Sequence, residues 1–239
     1  MTKPTSAQSH PVASDRAEQT RVVAAALRDE YGDRPWRRHL APIDELVATI
    51  LSQHTSDGNT ERAFRSLKAG FPEWADVIAA PTAEVAGAIR TGGLANIKAP
   101  RIQNVLREVR ARFGSFDLGA LAESTVAHGR AQLTALHGVG PKTASCVLLF
   151  SLGLPAMPVD THVHRVTRRL GVIGPKVDAE AAHPILESLI GENRDDVYAL
   201  HMHLIRHGRT VCQARTPACD RCVLTEHCDY YAFLSPTGP

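Results

Sequence analysis

The sequence predicts an all-α protein, and three observations predict it. Apolar residues recur at helical spacing in segment after segment. No stretch alternates at period two, as a half-buried strand would. Proline and glycine punctuate the starts and ends of the periodic segments.

Taken in order, residues 43–51 pack Leu46, Val47, Ile50 and Leu51 into one stripe. Residues 61–67 form a helix that runs out at Gly70. Thr82 is placed as the N-cap of a short helix stopping at Gly92-Gly93. In residues 100–113, Ile102, Val105, Leu106 and Val109 share a face, with Pro100 in the first turn and Gly114 just past the end. Residues 143–152 are apolar nearly all round, the pattern of a buried central helix. Residues 161–170, 178–190 and 194–208 complete a set of about ten helices. A cysteine-rich loop follows the last long one and is expected to cap a second, smaller lobe.

The chain has 239 residues, 44% of them apolar, which suits one large domain or two small ones. No apolar run approaches the roughly 20 residues of a membrane span. Residues 1–15 are polar and lack the features of a signal peptide, so they are expected to form a disordered tail on a cytoplasmic protein. The net charge of +2 says little about a polyanionic partner. Local clusters say more. Arg165, Arg168 and Arg169, then Arg206, Arg209 and Arg215, form either solvated helix faces or a phosphate-contacting patch.

Four of the five cysteines crowd into one loop, spaced Cys212-x6-Cys219-x2-Cys222-x5-Cys228. In a reducing compartment such crowding points to metal. Only Cys219 and Cys222 form a C-x2-C pair, and spacing alone admits either zinc or an iron–sulfur cluster. Cys146, in the apolar helix, reads as a small core residue.

Leu136-His137-Gly138-Val139-Gly140-Pro141-Lys142-Thr143-Ala144 joins two helices through a tight hairpin. Its glycines allow close approach to a ligand, and the following helix start favours phosphate. Lys142 lies in that first turn, where the helix dipole and burial should both lower its pKa and make it a nucleophile. Asp160, in Val159-Asp160-Thr161-His162, fits an N-cap and also a carboxylate able to stabilise developing positive charge. His162 is a candidate pocket residue. His201, His203 and His207 share a helix, and a structural role suits them better than a metal pair.

These segments together resemble the endonuclease III family of DNA glycosylases, over about residues 17–233. The cysteine spacing resembles that family's 4Fe-4S loop, which implies that Cys212, Cys219, Cys222 and Cys228 each bind the cluster. The glycine hairpin resembles its helix–hairpin–helix, which implies that Gly138, Val139 and Gly140 grip the DNA backbone; Arg165, from the arginine cluster above, is a further candidate contact. Lys142 and Asp160 match the family's catalytic pair. Gly92-Gly93-Leu94 resembles the loop whose leucine intercalates. Ser52-Gln53-His54-Thr55-Ser56-Asp57 resembles the Leu-Ser-Ala-Gln-x-Thr-Asp segment but departs from it, so Gln53 or His54 could face the orphaned base. His137 and Pro141 also depart from the hairpin's usual proline and basic residue.

The resemblance implies a six-helix barrel over residues 43–154 and a discontinuous cluster domain over 16–42 and 155–233, with DNA in the cleft between them. It implies a monomer at the nucleoid that removes oxidised pyrimidines from duplex DNA. The abasic strand would then be cut by β-elimination through a lysine Schiff base. Two alternatives stand beside this one: a monofunctional glycosylase of the same fold, specific for uracil or a mismatch, and a non-catalytic metal-containing DNA-binding protein.

Overall fold

A computed structural model describes residues 13–234. The expected tail lies outside the described residues except for 13–15, which already belong to the first helix. Among the described residues every regular element is helical, as the periodicity predicts. The α-helices are α1 (Ala13–Tyr31), α2 (Pro42–Leu51), α3 (Asp57–Gly70), α4 (Trp74–Ala79), α5 (Thr82–Ala88), α6 (Ala95–Phe113), α7 (Val126–Thr134), α8 (Pro141–Cys146), α9 (Thr161–Leu170), α10 (Ala179–Ile190), α11 (Arg194–Thr210) and α12 (Asp229–Leu234).

Two apolar cores form. One gathers Leu46, Ile50 and Leu51 of α2 with Ile102 and Leu106 of α6 and Leu133 of α7. The other gathers Leu27 of α1 with Val163 of α9, Leu186 of α10 and Leu204 of α11. Each fully buried leucine contributes about 2 kcal/mol. The helix begun by α8 continues as a π-helical turn over Val147–Ser151 and serves both cores. Val147 and Leu148 face the first, Leu149 and Phe150 the second. That double duty is why the segment is apolar all round.

The wider turn is closed by the non-helical stretch before α2. Trp36 Nε1 donates to the Leu149 carbonyl (2.6 Å), Arg38 Nε to Ser151 (2.9 Å), and the His39 amide to Phe150 (3.0 Å). This seals buried carbonyls that would otherwise lack partners and brings His39 beside α8. On the opposite side, Arg209 of α11 forms a two-pronged ion pair with Asp57 at the start of α3 (2.7 and 3.2 Å).

Two boundaries differ from expectation. The helix placed at 100–113 begins at Ala95, so Pro100 lies inside it. The earlier turn is secured by buried Lys98, whose Nζ donates to the carbonyls of Leu51 (2.7 Å) and Gly92 (2.8 Å). Thr82 does not cap α5; Pro81 occupies that position, and the Thr82 hydroxyl donates to Gln103 Oε1 (2.7 Å). Gly114 closes α6 at φ +74°, a left-handed conformation suited to glycine.

Candidate active site

The hairpin is formed as its glycines require. Gly138 adopts φ +83°, and a Cβ there would lie 2.8 Å from Arg101 Nε. Gly140 faces open space and precedes α8, whose N-terminus no side chain caps. Val139 differs from the expectation of a DNA contact. Its side chain is buried and its amide is spent on the Leu136 carbonyl (3.1 Å).

Lys142 sits half-buried in the first turn of α8, on the rim shared by two hollows. One is bounded by the hairpin glycines, Gln53 and Arg101. The other lies against α2 and is lined by Glu45, Thr49 and Ser52, with His39 and Phe150 opposite. Across from Lys142, Asp160 caps α9, accepting the amides of His162 (2.9 Å) and Val163 (2.8 Å) on Oδ1. The cap and the proposed chemical role are compatible, because Oδ2 takes no partner among the described residues.

The electrostatics correct one expectation. The Lys142 ammonium is held above the ordinary lysine range, first by Cys146 as its thiolate, with burial pulling down and Asp160 and Glu45 pushing up. The Cys146 thiol is itself pushed up by burial, so its anion is absent at neutral pH. With that thiol neutral, burial pulls the Lys142 pKa down while Asp160 and Glu45 push it up. Glu45 is the residue that sequence reasoning missed. Burial raises its carboxyl to about 7, with Lys142 and Thr49 acting against the rise.

Two of the three residues expected to fill an opened duplex share a rare backbone feature. Among the described residues, His54 (φ 55°) and Leu94 (φ 51°) are the non-glycine residues with positive φ. Leu94 is half-exposed beside exposed Ile97, so it does not tuck into the core. Gln53 is held back instead, accepting from Arg101 Nη1 (2.8 Å). The exposed member of the Gln53-His54 pair is therefore His54.

Arg165 departs from its expected role. Its Nε donates to the Cys212 carbonyl (3.0 Å) and its Nη2 to Gly208 (2.7 Å), so it staples α9 to the end of α11. His162 contacts Arg165 through Nδ1 (3.1 Å) and lines neither hollow. The three histidines of α11 are structural, as expected. His201 Nδ1 donates to Pro158 (2.9 Å), His203 meets the Gly32 carbonyl (2.9 Å), and His207 meets the Tyr31 hydroxyl (2.9 Å).

Cys212, Cys219, Cys222 and Cys228 line a single hollow beside α9, α11 and α12. Among the described residues no three His, Cys, Asp or Glu side chains meet closely enough to hold one metal ion. Donors already point at the sulfurs: Arg169 Nη1 at Cys212 (3.3 Å) and the Leu224 amide at Cys222 (3.4 Å). Burial, then mutual proximity, pushes the Cys222 thiol up, the condition a bound cationic group would relieve. The donor set thus fits an iron–sulfur cluster, and each cysteine would supply one thiolate.

Residues 47–192 match the family described as HhH-GPD superfamily base excision DNA repair protein. A putative DNA glycosylase of Arabidopsis thaliana is 39% identical over 167 residues, 70% of this chain and 56% of that protein. The chain therefore spans only a little over half the length of that relative. Endonuclease III of Sulfolobus acidocaldarius is 35% identical over 188 residues, 78% of this chain and 81% of the relative. The structure of a trapped endonuclease III–DNA covalent intermediate superposes with a TM-score of 0.76 at 27% identity, covering 91% of this chain and 98% of that one. With its hairpin, its uncapped lysine helix and its helical fold accounted for, the chain belongs to the HhH-GPD superfamily of base excision DNA repair proteins and has the fold of the endonuclease III-type DNA glycosylases.

Proposed function

We propose that the protein removes oxidised pyrimidines from duplex DNA and then cuts the abasic strand. The observation that carries this is Lys142, held at the rim of two hollows with the Asp160 carboxylate close enough to influence it. The damaged nucleotide swings out of the duplex. Lys142 first gives up a proton, for which the free Oδ2 of Asp160 is the acceptor. Its Nζ then attacks C1′, and the N-glycosidic bond breaks with its electron pair leaving on the base. Ring opening gives an imine. Loss of a C2′ proton and departure of the 3′ phosphate cut the strand, and water releases the enzyme.

His54 and Leu94 would occupy the vacated stack, and Gly138 and Gly140 would hold phosphate through the backbone. The four cysteines would hold a 4Fe-4S cluster whose contribution is to order the loop. The protein would act as a monomer on the nucleoid in the cytoplasm.

Replacing Lys142 by Gln removes the nucleophile but keeps the length of the side chain. Borohydride trapping to a lesion duplex should vanish. Undiminished trapping in that variant would reject the assignment of Lys142.

A further inference from the structure

Glu45 occupies a position that α2 should give to an apolar side chain. It is 7% exposed and adjoins Leu46 and Val47 in the first core. Burying a carboxyl without good partners is unfavourable. Its one partner among the described residues is the Thr49 hydroxyl, which donates to Oε1 at a long 3.4 Å. Among the described residues it forms no ion pair with Lys142, although both line the same hollow. A polar group held in the core with its hydrogen-bonding capacity unspent is poised for something not yet bound.

The two hollows beside Lys142 differ in what they can receive. The one bounded by Arg101 and the hairpin glycines presents a cation and bare backbone, which suits the sugar–phosphate chain. The one beneath Glu45 is walled by Phe150, with the His39 ring stacked on it at 4.7 Å, by Ala48, and by the hydroxyls of Thr49 and Ser52. Flat apolar walls with a few polar groups suit an extruded base. A base still joined to the C1′ that Lys142 attacks must lie within one ring's breadth of Lys142, and this hollow is there.

We propose that Glu45 is a specificity-determining residue whose carboxyl group pairs with the N3 edge of the everted pyrimidine. The proposal rests on the glycosylase reading above. That edge offers a donor beside an acceptor, and a protonated carboxyl offers the complementary pair: its O–H donates and its C=O accepts. The acid form is available because burial raises the carboxyl to about 7. The groups facing it are few. Lys142 and Cys146 come from α8 and His39 from the segment before α2, while Thr60 of α3 and Phe150 do not ionise. Burial lowers the His39 pKa and keeps that ring neutral, and it keeps the Cys146 thiol protonated. Above pH 7 the carboxylate loses its donor and the pairing weakens.

The test compares two duplexes, one with a single 5-hydroxyuracil and one with an abasic site that has no base to read. Base release and abasic nicking are measured for wild type, Glu45→Leu and Glu45→Gln in single turnover. Glu45→Leu should lose base release by tenfold to a hundredfold more than it loses abasic nicking. Glu45→Gln, whose amide also donates and accepts, should stay within about threefold of wild type at pH 6.5 and hold that rate to pH 8.5, where wild type declines. Parallel loss of both activities in Glu45→Leu, loss of neither, or a Gln variant as defective as Leu overturns the proposal. A wild type that leaves both duplexes intact overturns the glycosylase reading itself, and the role of Glu45 falls with it.

Discussion

Residues 212–228 bury a single side chain, Leu224, whereas the eleven residues from Pro141 to Ser151 bury nine. The first segment holds four cysteines, four charged residues and a single proline, and under the proposed function its order would come from the cluster its four thiols hold. The second is fixed by two apolar cores at once, so Lys142 stands on a preformed support. Under the proposed function the first region would depend on an added group and do no chemistry, while the second would need nothing added and would carry the chemistry. The contrast predicts that damage to the two will look different in solution.

The largest effect should come from Cys222→Ser. Losing one thiolate should release the iron and cost on the order of several kcal/mol in the loop and the core behind it. Amide exchange should accelerate in α9, α12 and the loop, while the amides of α6 stay protected. An iron-free variant with unchanged unfolding and uniform exchange would show that the loop orders itself, and the comparison would fail.

The same contrast explains what could be read from the chain. The cysteine spacing is local, and the four thiols that it groups line one hollow. The helices were legible because each buries one stripe, and Gly114 ends α6 where the pattern placed it. Asp160 was legible as a cap because a cap bonds its own next turn. What escaped depends on distant segments. Arg165 looked like a phosphate ligand, but its carbonyl partners lie some forty residues away at the end of α11. The Lys142 pKa is raised first by Cys146 of its own helix and then by Asp160 and Glu45, which no local pattern brings to it. Glu45 itself reads as one polar break in an apolar stripe. Pro100 misled because an interior proline is disfavoured on its own, and here the flanking turn is held by buried Lys98.

A second effect, smaller and opposite in sign, sharpens the lysine side. Burial pushes the Glu45 carboxyl up from its ordinary 4.5 to about 7 in the folded protein. For a raised carboxyl, the folded state is favoured fully below the unfolded pKa and loses that advantage as pH climbs through the folded one. Removing the carboxyl should therefore stabilise the protein above pH 7. Glu45→Leu should gain up to about 3 kcal/mol at pH 8, with the gain fading to nothing near pH 4.5. Urea unfolding across that range measures it. A gain that does not vary with pH would mean that packing, rather than ionisation, governs the site.

The smallest effect concerns His54 and Leu94, which hold left-handed backbone without being glycine. Such a conformation costs a residue with a Cβ about 1 kcal/mol or more, and residues strained in this way cluster where function requires them. Substituting glycine at either position should raise stability by about 1 kcal/mol, less what the unfolded chain gains in freedom. Binding to a duplex with an abasic site should weaken, because the side chain proposed to fill the gap is gone. Leu94→Ala separates the two effects: it keeps the Cβ and its strain, so it should bind as poorly as Leu94→Gly with no gain in stability. If alanine and glycine proved equally stable, the backbone at Leu94 would not be strained, and its exposure alone would have to account for its place in the loop.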